Sequence, residues 1–150
     1  MGLVQRLWAA GRLPVRDGLY RADDTGLEVL CDGPGAYHPD AGQPIPWRFG
    51  APFDVARAVA EDGSEEPDGY FEAPLPDGSG WVTGGGGGMG NIGHLARLGA
   101  DRSVRWVAVS SWSNPFTGVH WEGGEAVFTN DWRNRLRLDL ADPAFGPPAG

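Results

Sequence analysis

The sequence contains no lysine; all twelve of its basic residues are arginine. A phosphate loop of the form G-x-x-x-x-G-K-[ST] is therefore excluded, since its ammonium group is what reaches the nucleotide phosphates. A single cysteine, Cys31, excludes an intramolecular disulfide, and the expected setting is a reducing cytoplasm. No stretch approaches the roughly eighteen consecutive apolar residues of a membrane-spanning helix. Met1 to Trp8 lacks the apolar run and cleavage site of a signal peptide. Histidine is sparse: His38, His94 and His120 never pair at i+3 or i+4, and neither H-E-x-x-H nor C-x-x-C occurs. No metal site is expected from such scattered positions. G-x-S-x-G is also missing, so Ser110, Ser111 and Ser113 lack a nucleophile elbow and are read as structural. Cys31, at the end of an apolar strand, is read as buried and inert.

Acidic charge is abundant and uneven. The net charge is −8, and eight carboxylates between Asp54 and Asp77 face only Arg57, so this stretch alone carries −7. The last third is arginine-rich instead. A net acidic chain repels phosphate backbones, which argues against nucleic-acid binding. The segment Glu61 to Asp68, with Glu61, Asp62, Glu65, Glu66 and Asp68, would instead steer a basic partner.

Glycine is the other excess. Thr83 to Gly90 places Thr83, Gly84, Gly88 and Gly90 as in T-G-x-x-x-G-x-G, and so resembles the glycine fingerprint of the short-chain dehydrogenases. That resemblance implies a strand, a loop cradling a pyrophosphate and a helix. Its surroundings exclude it. The preceding Pro74 to Gly80 is turn-rich, and the family's Tyr and Lys pair cannot exist without lysine. The acidic residue expected roughly twenty positions on, to bind a ribose, is replaced by Ser110 and Ser111. No cofactor is expected, and the run reads as a connection or a place where two backbone segments pass closely.

Local patterning predicts a helix over Gly2 to Ala10 and a hairpin whose strands, Leu19 to Ala22 and Leu27 to Cys31, flank Asp23 to Gly26. A short strand is expected at Trp47 to Phe49. Pro52 opens a second helix with Phe53, Ala56, Val59 and Ala60 inward, followed by an acidic loop and a strand near Tyr70 to Ala73. Asn91 would cap a third helix burying Ile92, Leu95 and Leu98. Arg105 to Trp112 alternates as a central strand, and Gly123-Gly124 marks a hairpin leading through Asn130 to Asn134 into a strand with Leu136, Leu138 and Leu140. The tail from Pro143 reads as loose.

These elements predict a single α+β domain: a twisted antiparallel sheet of five to seven strands, ending in a meander, with two or three short helices on one face. The functional expectation is a non-enzymatic protein-binding domain. It would be of the inhibitor or immunity type, neutralising a basic partner such as a toxin through its acidic surface. Trp132, beside Arg133 in a polar turn, is the expected anchor of that interface. Two alternatives stand beside it. One is a small-ligand or enzymatic domain with a pocket beside Gly84 to Gly90, and the other is a component of a larger assembly.

Overall fold

A computed structural model describes residues 1–31, 42–87 and 91–146. Tyr37 and His38, and the Gly88 to Gly90 part of the glycine motif, lie outside these residues. The chain begins with helix α1 (Leu3–Ala9), then β1 (Leu13–Pro14), β2 (Gly18–Arg21), β3 (Thr25–Cys31) and β4 (Trp47–Asp54). Helix α2 (Val55–Asp62) and β5 (Ser64–Glu65) lead to β6 (Pro67–Pro74), β7 (Gly80–Gly87), β8 (Ile92–Gly99) and β9 (Val104–Ser110). The hairpin β10 (Phe116–Glu122) and β11 (Glu125–Asn130) continues into β12 (Arg135–Leu138) and a 3₁₀ turn, Pro143–Phe145.

The main sheet has seven strands in the order β4-β3-β2-β9-β8-β7-β6, every neighbouring pair antiparallel. The meander β10-β11-β12 is a separate sheet, and β1 pairs with β5. Alternation along the central strands builds two cores. Leu19, Leu95, Trp106 and Ala108 face the meander's Phe116, Phe128, Leu136 and Leu138. Tyr20, Ala96, Val107 and Val109 face Val4 of α1 and Val55 of α2. Both helices thus cover one face and the meander covers the other.

Each helix begins where a carboxylate takes its free amides. The Leu3 and Val4 amides donate to Asp24, in the β2–β3 turn, at 2.9 Å each. Asp54 accepts from the Arg57 amide at 3.1 Å, so α2 starts at Val55 and not at Pro52. Pro52 and Phe53 belong to β4 instead. That shift turns the helix, so Val55 and Ala58 are buried while Ala56 and Ala60 face solvent.

Two further expectations are corrected. Residues 92–99 form a strand rather than a third helix. β8 lies between β7 and β9, buried on both faces, so its apolar residues show no alternation. The described part of the glycine run, Gly84 to Gly87, belongs to strand β7, antiparallel to both neighbours, and residues 92–99 are the strand β8 rather than a helix. The strand–loop–helix geometry of a dinucleotide fingerprint is therefore not formed by these residues. Glycine disfavours strands, but here close approach requires it. A Cβ on Gly85 would lie 1.9 Å from the Asp68 carbonyl oxygen, and one on Gly84 would lie 2.6 Å from the Phe71 ring.

The hairpins follow their turn chemistry. Gly123 and Gly124 both have positive φ, 58° and 86°, as a two-residue turn between twisted strands demands. Residues 143–146, expected to be loose, are docked. Phe145 stacks on Trp106 with centroids 4.6 Å apart and meets Phe49 edge-on at 5.4 Å.

Candidate functional site

Three adjacent strands place two arginines around one tryptophan. Arg21 on β2 and Arg97 on β8 are each directly opposite Trp106 on β9. Residues paired across antiparallel strands share a face, so the row Arg21, Trp106, Arg97 lies on the meander side of the sheet. A third arginine arrives by a different device. Arg97 pairs with Trp106 while Leu98 pairs with Val104, which leaves Arg105 as the extra residue of a bulge. A bulge re-aims the side chain it carries. Arg21, Arg97, Arg105 and Trp106 line one cavity of about 460 Å³, with Gln5, Asp23 and Phe145 among the other walls. It opens where β2 leaves the sheet for the turn to β3.

The electrostatics of this cavity are unusual for an acidic protein. Arg21 is 6 % exposed, yet among the described residues its guanidinium bonds neutral oxygens: Nε to Thr25 Oγ1 at 2.8 Å and Nη1 to the Ala144 carbonyl at 3.0 Å. Arg97 donates Nη2 to Ser79 Oγ at 3.2 Å. Neither arginine makes an ion pair among the described residues, and for the buried Arg21 the lack of a counter-charge is unfavourable. Asp23 is the one acid of the lining, and its Oδ1 accepts from the Thr25 amide and hydroxyl. Arg97 Nε and Trp106 Nε1 are shielded from solvent and meet no acceptor. An oxyanion supplies what these groups lack: negative charge and several acceptor lone pairs.

The residues expected at a partner surface are distributed differently. Glu61 and Asp62 sit at the end of α2, where Glu61 pairs with Arg16 at 3.0 Å and Arg57 at 2.8 Å, and Asp62 with Arg16 at 2.6 Å. Hydrogen bonds from Arg57 and then Arg16 hold the Glu61 carboxyl below its ordinary range. Glu65 turns inward: its Oε1 is buried without a partner, and desolvation raises its pKa. Glu66 and Asp68 are exposed. Trp132 is half-buried in a turn stapled by Asn130, whose Oδ1 accepts from the Trp132 and Asn134 amides at 3.1 and 2.9 Å. Arg133 is exposed, with φ 64°. The exposed tryptophan is Trp112, at 53 %, in the turn after β9.

Part of that surface is nonetheless assembled. Asp68 pairs with Gly86, a Cβ on Gly86 would touch Pro115, and the Pro115 carbonyl accepts from Asp131 at 2.9 Å. The start of β6 and the turns carrying Trp112 and Trp132 therefore share one end of the sheet. The arginine cavity lies at the other end of β7, away from Gly84 to Gly87.

The remaining candidates are structural. His94 is 2 % exposed, its Nδ1 lies 2.9 Å from the Gly86 carbonyl, and burial pushes its pKa down to about 4. His120 faces solvent and meets Glu122 at 2.9 Å. Ser111 donates its amide and hydroxyl to Asp17, at 2.8 Å each, and Ser113 Oγ accepts from Trp47 Nε1 at 2.7 Å. Cys31 is buried 4.0 Å from Ser113 Oγ. Among the described residues no group of three or more His, Cys, Asp or Glu is placed to hold a metal ion. No helix among them is long and apolar enough to cross a membrane.

The arginines of the cavity were not singled out in sequence, although two of the three carry a local signal. Leu95-Ala96-Arg97-Leu98 and Val104-Arg105-Trp106-Val107 set a cation inside an apolar strand. Compared with protein-family models, with curated proteins and with solved structures, the chain has no match in any of the three.

Proposed function

We propose that the chain is a binding domain for a small anionic ligand, carrying a carboxylate or phosphate group, held in the cavity of Arg21, Arg97 and Arg105. The observation that supports this most is the buried guanidinium of Arg21, without an acidic partner among the described residues and aligned with Arg97 across Trp106. Low-dielectric walls strengthen its field, so a local positive site operates within a net negative molecule. Titration of the protein with inorganic phosphate and with acetate at low salt, followed by heteronuclear NMR, tests it. Saturable shifts are expected to centre on Arg21, Arg97 and the Trp106 indole. Arg97→Gln should weaken binding by about tenfold or more, the worth of a charge-assisted hydrogen bond. Unmoved signals at millimolar anion, or equal binding by Arg97→Gln, would remove the reading.

A second reading, a protein-binding surface of the inhibitor type, rests on the opposite end of the sheet. That end of the sheet carries the exposed Trp112 and the exposed acids Glu66 and Asp68. An exposed aromatic and acids on one surface fit a basic partner. Trp112→Ala that leaves capture of such a partner unchanged, or capture indifferent to salt, would argue against it.

A further inference from the structure

Arg97 lines a second cavity, of about 450 Å³, on its other side. This space is bounded by the β6–β7 turn, the β10–β11 hairpin and the segment after β12, and its apolar walls include Leu75, Trp121 and Leu140. Its charge is opposite to that of the first. Asp77 and Asp139 line it, and Arg97 is its one cation. Each aspartate already holds a turn through one oxygen: Asp77 Oδ1 accepts from the Ser79 amide at 2.9 Å, and Asp139 Oδ1 from Ala141 at 3.0 Å. Hydrogen bonds from the Ser79 hydroxyl and amide hold the Asp77 carboxyl below its ordinary range. From one cavity to the next the lining thus runs from cationic, across Arg97, to apolar and then anionic.

Resting on the anion reading above, we infer that the ligand is an elongated zwitterion. Its anionic head sits between Arg21 and Arg97, its apolar body crosses toward Trp121 and Leu140, and its ammonium end meets Asp77 and Asp139. Arg97 is the shared wall. Its Nη2 is bonded to Ser79, which lines the second cavity, while the same arginine also lines the first. Three large apolar side chains and two acids would be an odd lining for a site meant only for phosphate. A ligand of mixed character uses both compartments.

The test compares acetate, hexanoate and 6-aminohexanoate by calorimetry on the intact chain. Hexanoate should bind tighter than acetate by about fourfold for each methylene that becomes buried. The amino group should add about two- to fivefold at low salt, the usual range for a partly exposed ion pair. In the Asp77→Asn, Asp139→Asn double variant that last gain, read as the ratio of 6-aminohexanoate to hexanoate affinity in the same protein, should vanish. Both residues lie in exposed turns, and circular dichroism checks that the variant is folded. If acetate and phosphate bind as well as 6-aminohexanoate, the elongated zwitterion is wrong and the simple anion site stands. If the amino group helps equally in the double variant, the acidic end is misassigned. If none of the anions binds, both readings fall together.

Discussion

Two glycines separate the cost of lost space from the loss of a placed side chain. At Gly85 an added methyl would meet the Asp68 carbonyl oxygen at 1.9 Å, and Asp68 is backbone of the strand paired with β7, so relief requires part of that ladder to move. Gly85→Ala is therefore expected to destabilise the fold by about 3 kcal/mol or more, at the severe end for overpacking, as read by urea denaturation. Gly99 presents a different neighbour: its Cβ would lie 2.5 Å from Arg105 Nη2, the far end of a flexible, exposed side chain that pairs with Asp101 at 3.9 Å. Gly99→Ala should leave the denaturation midpoint nearly unchanged and lower anion affinity severalfold by displacing Arg105. Equal stability losses in the two variants would mean that Arg105 is held as rigidly as the Asp68 backbone.

At the scale of elements, the 3₁₀ turn after β12 closes the arginine cavity from one side. Phe145 covers Trp106, and the Ala144 carbonyl takes one N–H of Arg21. Phe145→Ala is expected to cost about 3 kcal/mol, near the lower end for a buried phenylalanine because the site is peripheral. Denaturation with the variant's urea slope checked against the parent measures this. A change below about 0.5 kcal/mol would show that the turn packs loosely.

Hairpin elements were legible because their signals are local: Gly123-Gly124 and Asp23 to Gly26 specify turns whatever surrounds them. β8 and the glycine strand were not. A strand covered on both faces has no alternation to read, and Ile92, Leu95 and Leu98 match helical spacing by accident. The bulge at Arg105 and the pairing of Arg21 with Trp106, 85 positions away by number, exist only once the sheet has formed. The acids Glu61 and Asp62 were visible as charge, but their engagement by Arg16 was not.

For the molecule as a whole, the buried His94 couples stability to pH. A histidine in the unfolded chain titrates near 6.5, whereas His94 in the folded chain titrates near 4. Between these values the unfolded state binds a proton that the native state does not. The contribution is fully present above about 6.5 and is lost as pH falls toward 4, by about 3 kcal/mol if no other group compensates. Asp68 opposes the shift, but burial dominates it. His94→Gln, which keeps a polar group near the Gly86 carbonyl, should flatten stability between pH 6.5 and 4 in urea titrations. An unchanged slope would assign the acid sensitivity elsewhere.

The carboxylate that receives the first two amides of α1 comes from a turn some twenty residues later in the chain. A seven-residue helix has too few internal bonds to persist by itself in water. Its formation must then wait for β2 and β3 to meet, which makes α1 a late arrival in folding. Truncations within it would speed unfolding and leave the refolding rate almost untouched.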